Sequence, residues 1–315
     1  MSELMKVMCG SGTATLAAET RPVPAASADQ VLIKVSRAGV NFLDLGLTTA
    51  IADRARTPVP GIEVVGTDCS DGSRVVALCG TGGYAEYVAA QASSVFRVAD
   101  GVSDEAALAV FVSGLTAWHL VHTIGRLSAG ETIVVHSALG SVGALAVQLA
   151  RRHGAGRVIG TASTPEKRSR ALELGADAAV SSDADGLAQR LVDAARPRSI
   201  DLILERAGGP VFDESLVALG PLGRIVVYGT TSGVRMVPTG ALIPKSQTLS
   251  GFLLDTVMTS QEKSQAELDE LFALIAARKL DVSAVEVRPM SQAKVALADL
   301  IGRKTTGKLL LDPAL

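Results

Sequence analysis

Aromatic residues are scarce in this 315-residue chain, at 3% of the total. So few rings make a poor platform for stacking bases, and the charge balance agrees. Lys and Arg number 30 against 32 Asp and Glu, a net charge of −2. The basic spots Arg151-Arg152 and Arg196–Arg198 are short and read as solvated helix ends, not as a phosphate-tracking stripe. Nucleic acid is not an expected partner. Cysteine is almost absent: Cys9, Cys69 and Cys79 are odd in number and share no CxxC spacing. That pattern builds no disulfide framework and suits a reducing, cytoplasmic compartment. The four histidines, His119, His122, His136 and His153, stand apart from the cysteines, and no zinc-ligand spacing exists among them. His119 and His122 share a helix face and read as core or surface histidines. No apolar run approaches the ~20 residues of a membrane span, and the N-terminus lacks a basic-then-apolar leader pattern.

What the chain has instead is small apolar residues and glycine. Hydrophobic residues make up 48%, much of it Ala and Val, beside 31 Gly, and the mean hydropathy is +0.33. Such a chain buries a sizeable core in tightly packed α/β layers. Residues 1 to about 112 read as β-rich. Strands are expected over 31–35, 63–66, 74–78 and 84–88, separated by Pro58, Pro60, Asp71-Gly72-Ser73 and Gly80-Thr81-Gly82-Gly83.

Near Ser113 the rhythm changes. A helix expected over 116–124 leads into strands over 132–136, 157–161, 178–180, 200–205 and 224–228, with a last strand within 246–253. Helices are expected between them over 141–153, 165–174, 187–195 and 211–219. This alternation builds a parallel doubly wound sheet. After Leu254 come two amphipathic helices, over 265–279 and 291–301, the second with Ser291 as its cap, and a strand over 307–311. These pieces are expected to rejoin the N-terminal part. The result is a discontinuous domain of residues 1–113 and 255–315 around a domain of residues 114–254.

The most informative stretch is Thr132-Ile133-Val134-Val135-His136-Ser137-Ala138-Leu139-Gly140-Ser141-Val142-Gly143. It reads as an apolar strand, a tight turn and the start of a helix. The pattern S-x-x-G-x-x-G is a variant of the dinucleotide fingerprint. Gly140 permits the turn and a close approach of backbone to a pyrophosphate, and Gly143 permits close packing of helix on strand. The helix start then offers unsatisfied N–H groups and a partial positive charge to phosphates. At the end of the second strand, an acid would accept from the ribose 2′-OH of NAD. The tip here carries the small hydroxyl of Ser163 and the cation Lys167 one turn on. Those groups suit a 2′-phosphate, so NADPH is the expected cofactor. Glu166 beside Lys167 argues the other way.

These residues carry a family resemblance. With them go Ala38-Gly39-Val40-Asn41-Phe42-Leu43-Asp44, Pro60-Gly61-Ile62-Glu63-Val64-Val65-Gly66, Gly82-Gly83-Tyr84-Ala85-Glu86-Tyr87-Val88, Gly114-Leu115-Thr116-Ala117-Trp118, Glu173-Leu174-Gly175-Ala176-Asp177 and Gly307-Lys308-Leu309. In this order and spacing the chain resembles the zinc-free quinone oxidoreductase (zeta-crystallin-like) branch of the medium-chain dehydrogenases/reductases, over nearly its whole length. The resemblance implies an α/β protein in which a GroES-like β-rich domain joins a Rossmann doubly wound parallel sheet domain, with NADPH in the cleft. It implies that Asn41 and Thr116 lie near the nicotinamide and its ribose, and that the loop Ser137, Leu139, Gly140, Ser141, Val142 and Gly143 holds the pyrophosphate. It places Ser163 and Lys167 at the 2′-phosphate, Tyr228 and the Phe252–Leu254 backbone on the nicotinamide side, and Lys308 within reach of the cofactor. Relatives reduce quinones or the activated C=C bonds of enones and enoyl thioesters, many as homodimers.

The sequence also departs from that branch. Relatives often carry a Tyr shortly after the Asn-Phe pair, where this chain has Leu45-Gly46-Leu47-Thr48-Thr49-Ala50 and no Tyr before Pro58. Ser181-Ser182 replaces a common Tyr after the third Rossmann strand, and the loop between Gly66 and Arg74 is short. No side-chain acid stands out as proton donor, so Asn41 is expected to position the acceptor and water to supply the proton. Tyr84 and Tyr87 alternate in an expected strand and read as packing residues; Cys79 reads as a small buried hydrophobe. Two alternatives stay open: an enoyl-acyl thioester reductase, and a non-catalytic NADPH-binding regulatory protein.

Overall fold

The computed structural model describes residues 3–10, 16–45 and 58–315. The chain divides into two compact units: Met1–Val112 with Ser260–Leu315, here the two-ended unit, and Ser113–Thr259, here the central unit.

The two-ended unit begins with a hairpin of β1 (Leu4–Cys9) and β2 (Ala17–Pro22). Met5, Val7 and Cys9 alternate inward on β1. β2 (Ala-Ala-Glu-Thr-Arg-Pro) has no apolar alternation, so pairing alone makes it a strand. Next come β3 (Gln30–Gly39), β4 (Glu63–Asp68), β5 (Arg74–Leu78), β6 (Tyr87–Gln91) and β7 (Val95–Arg97). Tyr84 lies before β6, not in a strand, so the expected Tyr84/Tyr87 alternation does not occur; the carbonyl of Pro60 holds the Tyr84 N–H instead. A helix absent from the sequence expectation, α1 (Asp104–Val110), is capped by Ser103, whose side chain accepts from the Ala106 N–H.

α2 (Val112–His119) and a π-turn over Leu120–Ile124 open the central unit. The helix starts earlier than expected because Ser113 and Gly114, which read as a break, are both buried and helical. The helical run Asp104–Ile124 is the one span among the described residues long and apolar enough to cross a membrane, and 72% of its most apolar window is buried inside the protein. Strands and helices then alternate: β8 (Thr132–Val135), α3 (Ser141–Arg152), β9 (Arg157–Ala162), α4 (Pro165–Glu173), β10 (Ala178–Ser181), α5 (Leu187–Ala195), β11 (Leu202–Glu205), α6 (Gly209–Ala218), β12 (Arg224–Val227) and β13 (Thr248–Gly251). The six strands are all parallel, in the order β10-β9-β8-β11-β12-β13. β8 and β11 are buried along their whole length, as central strands covered on both faces must be.

The chain returns with α7 (Gln261–Ala276), β14 (Val285–Pro289), α8 (Ala293–Ile301) and β15 (Lys308–Asp312). α7 begins earlier than expected because Ser260 caps it, accepting from the Lys263 N–H. Ser291 is not a cap: it sits in a 3-10 turn, Met290–Gln292, and α8 starts after it without a side-chain cap. β15 inserts beside β3 in a sheet ordered β14-β15-β3-β4-β5-β7, with β6 also on β3. Leu309 and Leu311 of β15 join Ile33, Val35, Val64 and Val75 in one core.

Candidate functional site

Parallel strands of one sheet all end at the same edge, so the central unit gathers its turns there. The order of its strands reverses between β8 and β11, and ligands of such sheets bind outside the carboxyl ends at that point. The turn after β8 is built as the sequence suggested. Ser137 takes a left-handed conformation, φ 52°, and its carbonyl accepts from the Gly140 N–H at 2.9 Å. A Cβ on Gly143 would collide with the Ser137 carbonyl. Gly140 caps α3 with no side-chain acceptor, leaving the first-turn N–H groups of α3 for a ligand. Leu139 is buried beneath the turn. These are the features a pyrophosphate requires, so the residues present fit a dinucleotide.

The turn is anchored by His136, a histidine to which the sequence assigned no role beyond the absence of zinc-ligand spacing. The Ser137 N–H donates to Thr161 Oγ1 at 3.3 Å, and Thr161 Oγ1 lies 3.1 Å from His136 Nδ1. His136 Nε2 lies 2.8 Å from Ser215 Oγ, which donates to the Val211 carbonyl at 2.7 Å. Since Ser215 spends its proton on Val211, Nε2 carries the imidazole proton and Nδ1 accepts from Thr161. Burial pushes the His136 pKa down to about 4, from an ordinary 6.5. The unfolded chain therefore binds one proton more between these values, and His136 removes stability as the pH falls from 6.5 towards 4, by about 3 kcal/mol in all. Glu205, raised by burial, titrates in the opposite sense, so the comparison of interest is with His136→Gln. Urea midpoints at pH 7, 5 and 4 should draw together or cross as the acid weakens the wild type more; parallel curves would show that His136 is not buried neutral.

Ser163 directly follows β9 and is exposed, and Lys167 sits in the first turn of α4. Thr164 caps that helix by accepting from the Lys167 N–H at 3.3 Å, with Pro165 opening it. Both expected 2′-phosphate residues thus stand at the strand tip. Ser181, at the next tip, instead donates to Asp183 at 2.7 Å. Tyr228 and Phe252 follow β12 and β13, which pair Val227 with Gly251, so they are neighbours on the same edge. The Tyr228 hydroxyl is buried without a hydrogen-bond partner, and burial raises its pKa to about 12. Leu254 is buried. Thr116 lies on α2 one turn before His119, whose ring centroid is 6.5 Å from that of Phe252.

In the two-ended unit the structure joins Asn41 and Lys308, and adds residues to which the sequence assigned no role. Asn41 follows β3, Glu63 opens β4 and Lys308 opens β15, three adjacent strands. The Lys308 ammonium is paired with the Glu63 carboxylate and donates to Asn41 Oδ1 at 2.9 Å. Asn41 Nδ2 donates to Glu63 Oε1 at 2.9 Å, and Glu63 Oε2 accepts from the Val112 N–H at 3.3 Å. Any side chain on Gly39 would strike the Glu63 carboxylate. Asp44 fixes the main chain, accepting from the Asn41 N–H at 2.7 Å, the Ile62 N–H at 3.1 Å and the Tyr84 hydroxyl at 2.8 Å. Burial raises Asp44 to about 7. Burial and the neighbouring Asp44 carboxylate keep Tyr84 firmly protonated, well above its ordinary range. Asn41 is thus gripped at both ends while its side chain stays half-exposed, with one Nδ2–H beyond the bond to Glu63. Burial likewise raises the Cys79 thiol, an inert setting. The tyrosine-free segment 46–57 lies outside the described residues.

A quinone oxidoreductase of Pseudomonas aeruginosa is 30% identical over 302 residues, covering 90% of this chain and 91% of that protein. The chain belongs to the medium-chain dehydrogenase/reductase family of oxidoreductases, in its quinone oxidoreductase branch. Among other members, mouse prostaglandin reductase-3 is 30% identical over 80% of this chain and 71% of its own. The solved quinone oxidoreductase of Thermus thermophilus, whose complex with NADPH is also known, superposes with a TM-score of 0.84 at 31% identity, covering 98% of this chain and 99% of its own. Residues 141–276 match the family profile described as zinc-binding dehydrogenase. That description implies zinc, but among the described residues no group of three or more His, Cys, Asp or Glu is placed to hold a metal ion. The residues present do not fit it.

Proposed function

We propose that this chain is an NADPH-dependent reductase that delivers a hydride to a quinone or to the activated C=C bond of an enone. The observation that carries the reading is the turn after β8: an uncapped helix start, a left-handed Ser137 and a Gly143 without room for a side chain, all at the switch point of the sheet. NADPH, when bound, supplies the hydride from C4 of its nicotinamide. Ser163 and Lys167 hold the 2′-phosphate, Gly140–Gly143 the pyrophosphate, and Tyr228, Phe252 and Leu254 with Thr116 bound the nicotinamide end. Asn41 acts on the acceptor. Its second Nδ2–H is a fixed donor for the oxygen that gains negative charge, and Lys308 and Glu63 prevent the amide from turning away. Lys308 Nζ serves Asn41 and Glu63, so its service to the cofactor runs through Asn41.

The enzyme is also proposed to be a homodimer paired along β13, one of the two edge strands of the central sheet. Met236, Val234 and Ile243, from the segment leading to that strand, are exposed at 93%, 75% and 75%, an apolar surface of the kind a partner covers. Light scattering at twice the 32.3 kDa chain mass is expected.

The deciding assay follows NADPH oxidation with a para-quinone, an ortho-quinone, a simple enone and crotonyl-CoA, with NADH in parallel. Turnover with a quinone or the enone, faster with NADPH than with NADH, is the expected result. Turnover of crotonyl-CoA alone would assign a thioester reductase. Tight NADPH binding with no acceptor reduced would leave a binding protein, and no binding would end the reading.

A further inference from the structure

Charge at the switch point is placed where the dinucleotide fingerprint does not look for it. Six residues directly follow the six parallel strands: His136, Ser163, Ser182, Arg206, Tyr228 and Phe252. Arg206 alone carries a fixed charge. It also stands at the one tip that matters for a pyrophosphate. β11 pairs with β8 in the register Leu204 to Val135, and the His136 N–H donates to the Leu204 carbonyl at 3.2 Å. Two residues on, Arg206 therefore lies across the reversal of strand order from Ser137, where the phosphate turn begins.

The residues around Arg206 are held by hydrogen bonds of their own. The carboxylate of Glu205 is turned into its own loop, accepting from the Ala207 N–H at 2.9 Å and the Gly208 N–H at 3.0 Å. The Arg206 carbonyl accepts from the Thr231 N–H at 3.4 Å and the Tyr228 N–H donates to the Glu205 carbonyl at 2.9 Å, which ties the arginine to the next strand tip. The positive charge of Arg206 reaches the Tyr228 hydroxyl, favouring its ionised form against the effect of burial. That hydroxyl is buried with no partner of its own, and the arginine is half-buried. The phosphate turn itself, Ser137–Gly143, contains no cation, so a doubly charged pyrophosphate there meets only helix N–H groups and the helix dipole.

The geometry points to Arg206 as the cation that clamps the pyrophosphate of the bound dinucleotide. This rests on the NADPH reading above. The forked guanidinium suits two phosphate oxygens, and the contact is indifferent to the 2′-phosphate.

The test uses fluorescence titration of the full chain with NADPH and with adenosine 2′-monophosphate, which lacks the pyrophosphate. Arg206→Met is expected to weaken NADPH about ten-fold or more, the worth of a charge-assisted hydrogen bond, and to leave the monophosphate within about two-fold. Arg206→Lys keeps the charge and should recover part of the loss, which also guards against misfolding of the methionine variant. Equal weakening of both probes, or an unchanged NADPH affinity in both variants, overturns the assignment of Arg206 alone. Failure of the wild type to bind NADPH overturns the assignment together with the proposed function.

Discussion

Lys308→Met is expected to destabilise the protein by about 3–5 kcal/mol, the cost of leaving one member of a buried ion pair alone. The Lys308 side chain is 3% exposed and that of Glu63 is fully buried. Without the ammonium, Glu63 retains, among the described residues, the Val112 N–H and one Asn41 N–H. Those two donors do not offset a desolvated carboxylate. Adding Glu63→Gln to Lys308→Met removes the stranded charge, and urea unfolding should recover about 2 kcal/mol or more. Turnover should not recover with it. In both variants Asn41 Oδ1 loses the donor that fixes its amide plane, and kcat falls while NADPH affinity, set in the other unit, holds. A double variant that regains stability and activity together would remove Lys308 from any role in positioning Asn41. Failure of the second substitution to restore stability would mean that the ion pair is not what holds these strands.

The two halves of this machinery differ in how well the sequence displays them. The central unit is written locally. Each strand is an apolar run, each helix has a face, and the phosphate turn lies within twelve consecutive residues from Thr132 to Gly143. Ser163 and Lys167 are legible for the same reason, as neighbours of a strand end. The grip on Asn41 is not local. Its partners Glu63 and Lys308 lie 22 and 267 residues away, and nothing in the pattern Gly-Lys-Leu announces that its lysine is buried. Resemblance brought Lys308 towards the cofactor; only the insertion of β15 beside β3 shows what it holds. The same limit hid His136, a strand-end residue whose partners Thr161 and Ser215 belong to β9 and α6. α1 was missed although Ser103 and its acidic first turn Asp104-Glu105 are a legible helix start. The β-rich expectation for the first 112 residues overrode that signal. Ser291 failed in the opposite way: a capping residue type stood where the chain makes a separate 3-10 turn.

The cofactor preference is where local sequence should have the largest consequence. Ser163→Asp combined with Lys167→Ala is expected to lower the ratio of kcat/KM for NADPH over NADH by about a thousand-fold. Removing the ammonium forfeits a charge-assisted contact worth about 1.5–3 kcal/mol. Placing a carboxylate beside a phosphate adds like-charge repulsion, of which about 2 kcal/mol survives at this exposed tip. Together these reach about 4 kcal/mol, and each 1.4 kcal/mol is a factor of ten. NADH should not suffer alike, because an acid at the tip of the second strand accepts from the free ribose 2′-OH. The single variants separate the two causes: Lys167→Ala weakens NADPH and leaves NADH unchanged, whereas Ser163→Asp moves the two in opposite directions. Arg206→Met is the contrasting case. A pyrophosphate is common to both cofactors, so that variant should weaken NADPH and NADH by the same factor and leave their ratio untouched. If the double variant keeps a ratio within about three-fold of the wild type, less than 1 kcal/mol, the 2′-phosphate lies elsewhere than the tip of β9.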